Sequence, residues 1–79
     1  MNSLLPGETL DLRGTRCPLN FVKTKIKMEE MAAGELLEIV LDDGEPIRNV
    51  PRSVAAEGHD VIGIEKLNDG GFSVFVRKV

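Results

Sequence analysis

The residue with the clearest chemical potential is Cys17, the single cysteine of a 79-residue chain. It follows the loop Gly14-Thr15-Arg16 and directly precedes Pro18, where an amphipathic run begins. The first N–H groups of a helix are unpaired and the helix dipole is positive there. A thiol at such a position is biased toward thiolate, the nucleophilic form of cysteine. Arg13 and Arg16, within four residues, push the same way. A lone cysteine can also be a small buried apolar side chain. Its place ahead of a helix, after a glycine turn and beside cations, speaks for a reactive thiol.

Other candidates are weaker. His59 is the only histidine and follows Gly58 at an expected helix end, opposite the end that Cys17 opens. A Cys-His pair needs the two side by side, and one cysteine with one distant histidine falls short of a zinc set. No metal and no cofactor are expected. Asp42-Asp43 reads as a turn rather than an acid–base pair, and Gly70-Gly71 as a hairpin rather than a phosphate cradle, since no helix follows it. Arg48 and Arg52 suit either a solvated helix face or the steering of an acidic partner.

The elements that must position Cys17 follow from pattern. Thr9 to Arg13 alternates as a short strand. Pro18 suits a first helical turn, and the helix is expected to run to about Ala33, before Gly34. It carries two apolar stripes: Phe21, Met28 and Ala32 with Met31 at the edge, and Leu19, Val22, Ile26 and Ala33. Both stripes are expected in the core; the alternative is that one lies exposed near Cys17, where a partner docks. Glu35–Leu41 is the second strand. A second helix is expected within 46–57, its well-formed part starting at Asn49 so that Pro51 falls in the first turn. Asp60–Leu67 and Phe72–Arg77 are the last strands, joined by Asn68-Asp69-Gly70-Gly71. Alternation places Leu10, Leu12, Leu37, Ile39, Leu41, Ile62, Ile64, Phe72, Val74 and Val76 toward the helices. Leu36, Val40 and Phe75 then fall on the open face.

The order βαβαββ predicts an α/β (α+β) two-layer sandwich, a four-stranded mixed sheet with two helices on one face. Residues 1–8 are expected as a flexible N-terminal arm and residues 9–79 as a single domain. The formal net charge of −3, with cations scattered among acids and few aromatics, counts against nucleic-acid binding. There is no apolar stretch of spanning length and no signal-peptide pattern, so the expected compartment is the cytoplasm, with no membrane partner.

The segment Leu10-Asp11-Leu12-Arg13-Gly14-Thr15-Arg16-Cys17-Pro18 resembles the signature of the TusA/SirA-like family of small sulfur-carrier proteins. Asp42-Asp43, Asn49-Val50-Pro51 and Glu57-Gly58-His59-Asp60-Val61 match further landmarks, and the likeness spans about residue 9 to the end. The resemblance implies the same sandwich and a persulfide carrier. Cys17 would accept sulfane sulfur from a cysteine desulfurase or rhodanese-like donor and pass it to an acceptor protein. Its class would be sulfurtransferase, although a carrier is an enzyme only by a broad definition. Asp11, Arg13, Gly14, Arg16, Pro18 and Asn20 would support the site. Asn20 is a departure: the family motif is Cys-Pro-X-Pro, and asparagine stands where the second proline would be. It is expected to report partner choice rather than thiol chemistry. The rival functions are a non-catalytic interaction or regulatory module of the same fold and, with less support from the charge, an RNA-binding domain.

Overall fold

The computed structural model describes residues 7–16 and 18–79. The expectations for residues 1–6 and for the surroundings of the Cys17 side chain lie outside the described residues. The elements are β1 (Glu8–Asp11), α1 (Leu19–Glu30), β2 (Leu36–Leu41), α2 (Glu45–Ala56), β3 (Asp60–Lys66) and β4 (Phe72–Arg77). They form one four-stranded sheet in the order β1-β2-β4-β3. The β1–β2 pair is parallel, while β4 runs antiparallel to both of its neighbours. The expected mixed sheet with two helices is therefore the observed fold.

The core lies between the sheet and the helices. Leu37, Ile39 and Leu41 of β2 and Val74 and Val76 of β4 meet Met28 of α1, Val50 and Val54 of α2, and the loop residues Leu12 and Met31. In this small domain, aliphatic residues at alternate positions of two central strands supply half of the buried core cluster, each gaining about 25 cal/mol per Å² of apolar surface removed from water. The other face is less apolar. Glu38 of β2 stands opposite Phe75, and Val40 opposite Ser73, whose hydroxyl donates to Glu38 Oε2 at 2.6 Å.

Several expectations need correction. β1 begins at Glu8, so the strand reaches into the expected arm: Glu8 pairs with Leu37, and Gly7 N–H donates to Leu36 O at 2.9 Å. α1 stops at Glu30 rather than Ala33 because Met31 turns to extended backbone and is buried. The turn is fixed by Lys78 Nζ, which donates to Met31 O, and by Ala32 N–H, which donates to Glu35 Oε1. α2 starts at Glu45 rather than Asn49 and keeps Pro51 in its interior. Gly44, at φ 95°, makes the entry turn, and Pro46 occupies the first turn, where no N–H is needed.

In β3 the strict alternation fails. A bulge between Val61 and Gly63 puts Val61 opposite Val76 and packs it on the core, while Ile62 is exposed. Ile64, opposite core residue Val74, is 53 % exposed because β3 is an edge strand.

The larger correction concerns α1. Its fully buried residues are Asn20, Thr24 and Met28, a line with spacing four. Leu19, Val22 and Ile26, expected in the core, are 52 %, 44 % and 51 % exposed. The helix hides polar groups at its N-terminal end and shows an apolar ridge to solvent.

Candidate functional site

The loop after β1 and the loop after β2 leave the sheet at the same end, because those strands are parallel neighbours. Both helices start there. Gly14 adopts φ 80°, a left-handed conformation that a side chain disfavours, and so turns the chain toward α1. Its N–H donates to Asp42 Oδ2 at 2.6 Å, which ties one loop to the other. Thr15 N–H returns to Leu12 O at 3.0 Å. Pro18 caps α1, and the first bonds of the helical ladder run from Asn20 N–H to Arg16 O at 3.1 Å and from Val22 N–H to Pro18 O at 3.0 Å. The first of these spans the position of Cys17. The expected glycine turn and helix start are thus both present, each closed by backbone hydrogen bonds.

Between the two loops lies an open cleft of about 510 Å³, lined by Gly14, Thr15, Arg16, Asp42, Asp43, Glu45 and Pro46. Its charge is not what the local sequence suggests. Arg13 does not present a free cation: Nε and Nη2 grip Asp11 at 3.1 and 2.8 Å, and Nη1 reaches Asp69 at 2.5 Å. Arg13 backbone N–H also donates to Asp11 Oδ1 at 3.1 Å. These bonds hold the Asp11 carboxyl below its ordinary value and raise that of Arg13. Arg13, braced by Asp11, therefore ties the loop to the β3–β4 hairpin through Asp69. Arg16 is exposed and makes no ion pair among the described residues. It faces three carboxylates on the cleft wall.

Asp42 was legible only as a turn former. Its role in holding Gly14 depends on strand order, which the spacing along the chain does not display. The nearest signal was its place at the end of the strand expected to neighbour the first. Asn20 is also placed differently from expectation. It is fully buried, so it cannot select a partner by touching it. His59 lies elsewhere: its Nδ1 accepts from Val79 N–H at 3.2 Å.

The exposed ridge Leu19, Val22 and Ile26 starts two residues after Cys17 and runs along α1. Lys23 stands on the same side, beside an apolar depression of about 240 Å³ formed with Leu10, Ile26, Lys27 and Glu30. Lys27 is held by Glu8 and Glu30, and Lys25 by Glu57. Among the described residues, no helix is long and apolar enough to cross a membrane.

The profile of the family described as sulfurtransferase TusA matches residues 8–78. A relative from Archaeoglobus fulgidus, named "Putative sulfur carrier protein", is 45 % identical over 72 residues, covering 91 % of this chain and 82 % of the relative. YedF from Escherichia coli K12, under the same description, is 33 % identical over 66 residues, with 84 % and 86 % covered. The crystal structure of a SirA-like protein from Desulfitobacterium hafniense superposes with a TM-score of 0.78 at 20 % identity, over 89 % of this chain and 95 % of that one. The last of these speaks for the fold alone.

Proposed function

The chain belongs to the TusA sulfurtransferase family, and from that premise we propose that it is a sulfur carrier that takes sulfane sulfur as a persulfide on Cys17 and relays it to an acceptor protein. The observation that carries this reading is the held loop. Gly14-Thr15-Arg16, the segment leading into Cys17, is fastened by Asp42 at the mouth of an open cleft, immediately ahead of the start of α1. Such a position favours an anion through unpaired N–H groups and the positive end of the helix.

The chemistry is a thiolate exchange. The Cys17 thiolate attacks the outer sulfur of a donor persulfide, R–S–SH. A new S–S bond forms, the donor's S–S bond breaks, and R–S⁻ leaves with its electron pair. Cys17-S-SH then loses its outer sulfur to an acceptor thiolate in the same way, which regenerates the Cys17 thiolate. No external oxidant or reductant is needed, because sulfane sulfur is conserved in each step. The donor is assigned as a cysteine desulfurase or a rhodanese-like protein, and the traffic is assigned to the cytoplasm, where thiols stay reduced. The ridge Leu19, Val22 and Ile26, with Lys23 beside it, is the surface we assign to the donor. It is apolar, begins two residues after Cys17 in the chain, and is bordered by Lys23, a cation that suits an acidic rim.

The test is mass spectrometry of the whole chain after incubation with a cysteine desulfurase and cysteine. The expected result is a gain of one sulfur atom, mapped to Cys17 and absent in Cys17→Ser. A folded wild-type chain that gains no sulfur from desulfurase or rhodanese donors overturns the proposal in favour of a non-catalytic interaction module.

A further inference from the structure

The sheet has two edges, β1 and β3. An edge strand turns a row of backbone N–H and C=O groups toward any strand that comes alongside. The two edges differ in length and in what they show. β1 has four residues with a carboxylate near each end, Glu8 and Asp11, and Lys27 of α1 bonds to Glu8. β3 has seven residues, Asp60–Lys66, with no charge in its middle. Ile62 and Ile64 flank Gly63 and are 36 % and 53 % exposed. Natural edges are commonly blunted by a charge or a bulge. In β3 the lysine stands at the end of the strand and the bulge leaves Ile62 exposed, so the centre of the edge is apolar and open.

We propose that β3 is a self-association edge, through which two copies of this chain pair antiparallel about a two-fold axis at Gly63. The strand is complementary to itself in that register. Gly63 meets the partner's Gly63, so no side chain obstructs the axis. Ile62 meets the partner's Ile64 and, by symmetry, Ile64 meets the partner's Ile62, an apolar cluster of four side chains. The acidic end of one strand, Asp60, comes alongside the basic end of the other, Lys66, and this happens twice in the dimer. Asp60 and Lys66 are exposed and make no ion pair among the described residues, although Arg77 stands opposite Asp60 on β4. Glu65 comes alongside the partner's Val61, so no like charges meet. β1 lacks this match: paired with itself over its full length, it lays Glu8 alongside the partner's Asp11, like charges at both ends.

The contact leaves the rest of the molecule accessible. β3 lies at the opposite edge of the sheet from β1, whose Leu10 borders the depression beside Ile26 on the α1 ridge. Both copies therefore keep that ridge uncovered, and the pairing does not rest on the sulfur-carrier reading. The interface is small. One pair of strands buries less than the roughly 1,600 Å² of a standard interface, so the dimer is weak and concentration-dependent.

The experiment is sedimentation equilibrium of the full chain from micromolar to millimolar concentration, at low and at high salt. The average mass is expected to rise from one chain toward two, and to rise less at high salt because the end charges are screened. Asp60→Lys and Lys66→Asp each set like charges side by side at both ends, and each alone is expected to weaken association about tenfold. Mixed in equal amounts, the two variants are expected to associate as the wild type does, because one strand is then basic at both ends and the other acidic. Ile64→Lys places a cation in the apolar centre and is expected to abolish the dimer. All three positions are exposed, so urea midpoints are expected to stay near that of the wild type. A wild-type chain that stays single at millimolar concentration overturns the proposal. So does a dimer that Ile64→Lys leaves intact, a mixture no more associated than its components, or growth beyond two chains, since a two-fold contact closes on itself. If Ile64→Lys does not fold, the charge exchange decides.

Discussion

Replacing Asp42 with alanine removes the hydrogen bond that joins the two loops of the site. Gly14 N–H donates to a carboxylate oxygen at 2.6 Å, so the bond is charge-assisted. A bond to a charged group contributes about 1.5–3 kcal/mol when buried. Here the donor is exposed and the acceptor half-buried, so water replaces part of it after mutation. The net loss is then about 1 kcal/mol, which lowers Tm by roughly 4–8 °C for a domain of this size. Asp42→Asn keeps an acceptor oxygen and loses only the charge, so its loss is about half as large. Urea unfolding of the three chains measures this, with the m-value expected to stay constant because the unfolded surface is the same. The alkylation rate of Cys17 reports the loop directly and is expected to change in the order wild type, Asp42→Asn, Asp42→Ala. An Asp42→Ala chain with the wild-type urea midpoint and alkylation rate refutes the assignment of Asp42 as the tie between loops.

Gly14→Ala forces a left-handed φ of 80° on an L-residue while its new Cβ meets nothing within 4 Å, so the cost of about 1–2 kcal/mol is purely backbone and appears as a lower urea midpoint. Because Arg13 holds the Asp11 carboxyl below its ordinary value of 3.8, that pair's stabilisation is present above 3.8 and is lost as pH falls through the lower, folded value. Arg13→Ala is therefore expected to flatten the acid limb of urea midpoint against pH below 3.8, and an unchanged limb would show that other groups set it. Ile26→Ser removes a half-exposed side chain, so stability is expected to fall by less than about 1.5 kcal/mol. Its transfer rate from a desulfurase is expected to drop several-fold through weaker donor docking, and an unchanged rate at limiting donor would detach the ridge from that interface.

The strands were readable because β2 and β4 are short runs rich in aliphatic and aromatic residues, bounded by glycine and aspartate turns. The expected two-layer mixed sheet follows from that pattern and from two helices lying between strands. α1 was not readable in the same way. Its apolar residues mark two stripes, and amphipathic reasoning assigns apolar stripes to the core. The helix instead points Asn20 and Thr24 inward, and the Thr24 hydroxyl is satisfied by Asn20 O at 2.9 Å, a bond local to the helix. Nothing in hydropathy ranks a self-satisfied threonine above an isoleucine for burial. The bulge at Ile62 shifts side-chain direction by one residue, which pairing to β4 decides and local sequence does not. At the site, the glycine turn and helix start around Cys17 were legible, because both are local. The partners that neutralise Arg13 and hold Gly14 were not, since Asp69 and Asp42 lie 56 and 28 residues away.

The inward-facing polar line of α1 also sets how the molecule opens. Met28 is the one fully buried apolar residue within α1, whereas β2 contributes an aliphatic side chain to the core at every other position. Local opening free energies follow buried apolar contact, so the amide protons of α1 are expected to exchange through partial unfolding below the global unfolding free energy, ahead of those of β2 and β4. The cooperative unit expected to survive longest is the β2–β4 pair with α2, which together hold seven of the ten buried core residues. The turn that leads into Cys17 therefore opens onto a helix that a single buried apolar side chain anchors, while the aliphatic rows of β2 and β4 lie at the other end of that anchor.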